Sequence, residues 1–163
     1  MSGKEKVLIL EARYEAKLLK RRMREVLDEF PLEVQGKSVL VKPNLLGPWS
    51  GASGIVTHHL AVKALVDVLG EKGARVQVGD NPGVRGYGRA GKVSRATGVG
   101  EAVGDAWVNI TRSPVSVPVI SRFIHETSIS SQVLDCDVLI SMPKFKTHVS
   151  TIITGAIKNS FGF

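Results

Sequence analysis

The feature that most constrains this chain is a repeated punctuation of short apolar runs. Val138-Leu139-Ile140 runs into Pro143, and Val39-Leu40-Val41 runs into Pro43-Asn44. Arg75-Val76-Gln77-Val78-Gly79 runs into Asp80-Asn81-Pro82-Gly83. Proline cannot donate to a ladder, so each run reads as a strand cut off at a fixed point. Between them lie segments of helical period. Tyr14, Leu18, Leu19, Met23, Val26, Leu27 and Phe30 share one face, and Pro31 stops that helix. Leu60, Val62, Leu65, Val66, Val68 and Leu69 form the stripe of a second helix, with Thr57 as the expected N-cap and Gly73 as the stop. Val7 to Leu10 is expected as a further strand buried on both faces.

Strand, helix, strand, helix, strand predicts an α/β fold. The expected form is an open, largely parallel sheet with flanking helices and Rossmann-like layering. With 163 residues and 43% hydrophobic content, the chain is long enough for one domain over residues 1–163. Val84 to Gly104, carrying Arg85, reads as a loop followed by short helices. Trp107 to Ile110 and Val115 to Phe123 read as further strands, and Ser128 to Leu134 as a short helix.

Parallel strands bring their carboxyl ends to one edge, where open α/β sheets bind ligands. That edge is expected to gather Lys42, Asn44, Asp80, Asn81, Lys144, Lys146, Thr147 and His148. The N-terminus of the Thr57 helix joins them, with free N–H groups and a positive dipole end. Lys144 and Lys146 lie two apart, so an extended backbone points both at one ligand. Lys158 and Asn159 follow Gly155 on a helix that either faces the same crevice or faces solvent. Lys42, Lys144 and Lys146 are expected to bind negative charge, and Thr147, Asn44 and Asn81 to orient it. His148 and Asp80 are the candidates for proton transfer. For His148 the competing reading is a hydrogen-bonded structural imidazole, and for the lysines a solvated pair. Lys146 as a Schiff-base amine is not distinguished from a plain anion clamp. The loop Gly47 to Gly54, rich in Gly, Ser and Pro, carries neither a Walker spacing nor a dinucleotide fingerprint.

The formal charge of +7 favours anionic partners. An anionic small molecule is the first expectation. Nucleic acid held weakly by Lys17, Lys20, Arg21, Arg22 and Arg24 is the alternative, against a solvated helix face. The single cysteine, Cys136, excludes a disulfide framework and a four-thiolate iron–sulfur cluster held by this chain alone. A metal site would need His148, His58 or His59, and Asp80 to converge. No close-spaced ligand pair supports that, so none is expected. Val7 to Leu10 is too short for a signal or membrane segment, which makes the cytoplasm the default location with no membrane partner.

Four pieces together resemble the domain-of-unknown-function family 362. They are Val39-Leu40-Val41-Lys42-Pro43-Asn44-Leu45; Thr57-His58-His59; Val76 to Gly83; and Pro143-Lys144-Phe145-Lys146-Thr147-His148 with Thr154-Gly155-Ala156-Ile157-Lys158-Asn159. His59 stands where the family more often has proline, so it receives no special role. The resemblance implies an uncharacterised protein of that type, and an enzyme domain is the working expectation. It also implies a longer chain, of which this looks like the N-terminal portion. Some members carry a ferredoxin-like four-iron module further on, so a cluster would belong only to such a module, and this chain could serve as its scaffold. The apolar stretch Ile152 to Phe163 is then expected to expose a patch at Ile153, Ile157 and Phe161 and to promote association.

Overall fold

The computed structural model describes residues 5–83, 86 and 88–163. Its centre is a parallel sheet of three strands, β1 (Ser38–Pro43), β2 (Arg75–Val78) and β5 (Val138–Met142), in the order β2-β1-β5. Val39 pairs with Val76 on one side and Val138 on the other. The central position explains the composition of β1: Val39, Leu40 and Val41 are all buried, as an uninterrupted apolar strand requires.

Two helices cover one face. α1 (Ala16–Glu29) buries Leu19 and Leu27, four-residue multiples apart, with Met23 packed between them at the edge of the core. α2 (His59–Glu71) buries Val62, Leu65, Val68 and Leu69. Its end is closed by left-handed Gly73, whose N–H bonds Gly70 O while Ala74 N–H bonds Leu69 O. That pair of bonds satisfies two carbonyls the helix would otherwise leave open. The core between sheet and helices joins Val39, Val41 and Val78 to Val62, Leu65, Val68 and Leu69.

The cap of α2 differs from expectation. His58, not Thr57, holds the N-cap position, and its Nδ1 accepts the Leu60 N–H at 3.2 Å. Thr57 is taken elsewhere: its hydroxyl donates to Met142 O at 2.8 Å and accepts from Asn44 N–H at 2.9 Å. A tertiary bond between two strand ends outcompetes the local cap.

Val7 to Leu10 forms no strand. Val7 and Ile9 are 79% and 89% exposed. The segment is tied to α1 instead, through the Lys6–Glu29 ion pair and the bond from Arg22 Nε to Glu11 O. An apolar run reports suitability for a strand, while pairing needs a neighbouring edge that the sequence does not display.

After β2 come α3 (Ala90–Ala96) and α4 (Val99–Val103), as expected; Arg85 lies outside the described residues. Trp107 makes one parallel bridge to Val78, with Val108 N–H bonding Val78 O, and no full strand. β3 (Pro114–Pro118) pairs antiparallel with β4 (Glu126–Ser130). The helix expected over Ser128 to Leu134 therefore shrinks to α5 (Ser131–Asp135), because Ser128 to Ser130 are claimed by the hairpin. Beyond β5, a second hairpin joins β6 (Lys146–His148) to β7 (Ile152–Thr154), followed by α6 (Ala156–Ser160). Ile153, Ile157 and Phe161 are exposed there, as is Phe145.

Ile152 holds φ at 65°. A β-branched side chain in the left-handed region is crowded against the following carbonyl. Its 82% exposure means that little burial offsets the strain. Ile152→Asn, which tolerates that conformation, is expected to raise stability by about 1 kcal/mol. Urea denaturation of parent and variant checks this, and a lowered midpoint would show that the residue carries no strain.

Candidate functional site

Each strand of the sheet ends where its sequence changes from apolar to polar, and the polar groups meet at the carboxyl edge. Lys42 is the last residue of β1 before Pro43. Gly79 follows β2 where a Cβ would collide with the Ile110 side chain, so only glycine lets the chain pass and deliver Asp80 toward β1.

Lys42 Nζ meets Asp80 Oδ1 at 2.5 Å, with both side chains 2% exposed. Asp80 Oδ2 accepts the Leu45 N–H at 2.8 Å. Asn159 reaches in from α6. Its Oδ1 lies 3.3 Å from Lys42 Nζ, and its Nδ2 donates to Lys42 O and Ser141 Oγ, each at 3.0 Å. A charge buried this deeply persists only when paired and hydrogen-bonded. Burial pushes the Asp80 carboxyl above its usual range, while the Lys42 ammonium and the N–H groups of Leu45 and Asn81 pull it back.

Beside this pair lies a cleft of about 100 Å³, lined among others by Asn44, Asn81, His148, Thr154, Lys158 and Phe161. Leu46, with φ at 50°, also lines it. The expected residues therefore separate into groups. Lys42, Asn44, Asp80, Asn81, His148, Lys158 and Asn159 come together. Lys146 stands behind them: its ammonium donates to Asn44 Oδ1 at 2.5 Å and to Ile55 O. Burial lowers its pKa, and the Lys144 and Lys158 charges push the same way against Asp80. Thr147 points to solvent between Lys146 and His148, as strand alternation requires. Thr57 is spent tying β1 to β5.

Lys144 departs from the cleft. Its amine donates to Tyr14 OH at 3.0 Å. Tyr14 stacks on His58 with ring centroids 3.9 Å apart, and His58 stacks on His59 at 4.3 Å. Burial lowers the His58 pKa, helped by His59 and Lys144. Sequence reasoning placed Tyr14 on the apolar stripe of the first helix; Tyr14 instead precedes α1 and meets Lys144 and His58, contacts the sequence does not signal. That reasoning also missed Leu46, Thr154 and Phe161 in the cleft; Thr154 stood inside a string already singled out, and Phe161 was named only as part of an exposed apolar patch.

A larger cavity, about 440 Å³, opens at the other end of the strands between Ser38, Arg75, Gln77, Gln132 and Cys136. Two of its polar groups are engaged within the fold. Arg75 donates to Gly36 O, and the Cys136 thiol donates to Val133 O, its pKa raised chiefly by burial. The smaller cleft, where buried charge gathers, is the candidate site. Among the described residues no three His, Cys, Asp or Glu side chains converge on a point that could hold a metal ion. Among them, too, no helix is long and apolar enough to cross a membrane.

The family described as "Domain of unknown function (DUF362)" matches residues 39–163. A curated relative, the thylakoid-associated protein sll1697 of Synechocystis, is 27% identical over 137 residues. That alignment covers 78% of this chain and 39% of the relative, so the chain spans well under half of the relative's length. No solved structure matches.

Removing one partner of a buried pair strands the other charge. Lys42→Met or Asp80→Leu alone is expected to cost about 3–5 kcal/mol, and the double variant to recover most of it. Chemical denaturation of the three variants tests this; a double-variant loss equal to the sum of the two single losses would show that the two charges are not coupled. His58 gives a pH dependence. Its folded pKa lies below the ordinary 6.5, so the unfolded chain binds the proton more readily. Its contribution is complete above pH 6.5 and declines as pH falls below it. His58→Asn keeps a capping side chain and is expected to flatten the stability–pH profile in that window.

Proposed function

The chain belongs to this family of unknown function, and from that premise and the cleft's geometry we propose that it binds an anionic, phosphate- or carboxylate-bearing small molecule at the carboxyl edge of its sheet. The observation that carries the reading is an excess of donors. Asp80 brings the cleft's carboxylate, and its oxygens are engaged by Lys42 and the Leu45 N–H. Asn44 Oδ1 is occupied by Lys146, which leaves its amide N–H₂ to donate. Lys158, Asn81 and His148 add donors around the same space. A ligand that satisfies such a lining is rich in acceptor oxygens.

Size narrows the ligand. Drug-sized molecules occupy roughly 300–1,000 Å³, and one water takes roughly 30 Å³ of liquid. About 100 Å³ admits an oxyanion headgroup and leaves the rest of the molecule outside, over Phe161 and Leu46. Left-handed Leu46 fits this reading, since strained backbone gathers at ligand sites.

The basic face of α1 supports nucleic-acid binding less well. Lys20 and Arg24 both pair with Glu71, and Arg21 and Arg22 with Glu25. These exposed pairs contribute little to stability, yet they offset the positive field that a phosphate backbone would need. We keep the cytoplasm as the location. The relative's thylakoid association makes a membrane surface the competing place, and cell fractionation separates the two.

Inorganic phosphate is the simplest probe. Lys158→Ala is expected to weaken it by about tenfold, the loss of one charge-assisted bond. Lys20→Ala on the helix face is expected to change nothing. Ligand-induced thermal stabilisation of parent and both variants reads this out. The opposite pattern would move the site to the helix.

A further inference from the structure

Among the described residues His148 is the imidazole that borders the cleft, and its hydrogen bonds select one tautomer of its ring. It lines the cleft from β6. Its Nδ1 turns back onto its own hairpin, accepting the N–H of Ser150 at 3.1 Å and of Thr151 at 3.3 Å. A nitrogen that accepts two N–H groups carries a lone pair and no proton. Neutral imidazole has one N–H, so that proton sits on Nε2.

We propose that His148 serves the cleft as a fixed hydrogen-bond donor through Nε2–H, recognising an anionic oxygen of the bound ligand, and that it is not a base. The proposal rests on the anion-site reading above and assigns this residue's part in it. Abstracting a proton through Nε2 requires a lone pair there. In this tautomer the lone pair is on Nδ1, facing the turn. Moving it to Nε2 puts a proton on Nδ1, directed at two backbone N–H groups, and gives up both bonds. The nearest carboxylate in the cleft, Asp80, is engaged by Lys42 and Leu45, and no bond joins it to His148.

The hairpin supplies a second, independent observation. His148 pairs with Ile152, whose left-handed backbone closes the turn. That residue is exposed, so its own packing does not explain the conformation. What the turn achieves is to aim two successive N–H groups at one ring nitrogen. The left-handed residue brings the chain back into register with His148 once those two N–H groups have been directed at its ring.

The test needs no variant for its first arm. Long-range proton–nitrogen correlation NMR on the whole chain, labelled with ¹⁵N-histidine, reports which nitrogen of each of the four histidines is protonated. His148→Gln identifies the resonance by its disappearance. The expected result is protonated Nε2 and bare Nδ1; the reverse tautomer overturns the proposal. The second arm measures inorganic phosphate binding. His148→Gln retains a donor at similar reach and is expected to stay within about threefold of the parent, while His148→Phe loses about tenfold. If His148→Phe binds as tightly as the parent while Lys158→Ala does not, the anion site stands and the donor role of His148 falls. If the parent binds no phosphate, the anion reading fails and takes the donor role with it, while the tautomer is still decided by the first arm.

Discussion

A lysine that is 2% exposed at the end of the central strand is the constraint on which this structure turns. Taking an ammonium out of water costs several kcal/mol even after relaxation. The fold meets that cost with groups from three separate stretches. Asp80 arrives from β2, Asn159 from α6, and the Leu45 N–H holds the far oxygen of Asp80. Each depends on something further away. Asp80 reaches Lys42 because Gly79 clears Ile110 and because Val41 and Val78 are in register. Asn159 reaches it because α6 lies against β5, whose Ser141 hydroxyl also accepts from Asn159. The polar groups around Lys42 therefore form one network, and the apolar core beneath fixes its register, lending it the backbone N–H of Leu45.

The legible part of this arrangement is the part written locally. Proline and glycine placed the strand ends, and the 3.6-residue period placed α1 and α2. From those ends followed the gathering of Lys42, Asn44, Asp80, Asn81 and His148, while Lys158 and Asn159 were legible only as a choice between crevice and solvent. The illegible part is pairing over distance. Thr57 looks like a cap in sequence, but its hydroxyl reaches Met142, 85 residues on. Lys144 and Lys146 look like a matched pair. One reaches Tyr14, 130 residues away, and the other Asn44. Alternation gives the side of a strand, and it does not give which neighbour waits there. Val7 to Leu10 failed for the same reason: its composition suits a strand, and no edge takes it up.

The two sides of the cleft differ in how firmly they are held, and that difference has consequences for any ligand. Lys42 and Asp80 sit on strand ends whose backbones are fixed by the parallel sheet and backed by the core. His148 and Lys158 sit on a three-residue strand and a five-residue helix, with exposed Val149, Ile152 and Ile157 around them. So little burial cannot hold a hairpin rigid, and its order comes from polar contacts: Asn159 to the sheet, Lys146 to Asn44 and Ile55, and the two backbone bonds to His148. In the proposed function an oxyanion would bridge Lys158 and His148 to Asn81 and Asn44. It would add to the polar contacts that already join hairpin to sheet, so the elements with least core of their own gain most order from binding.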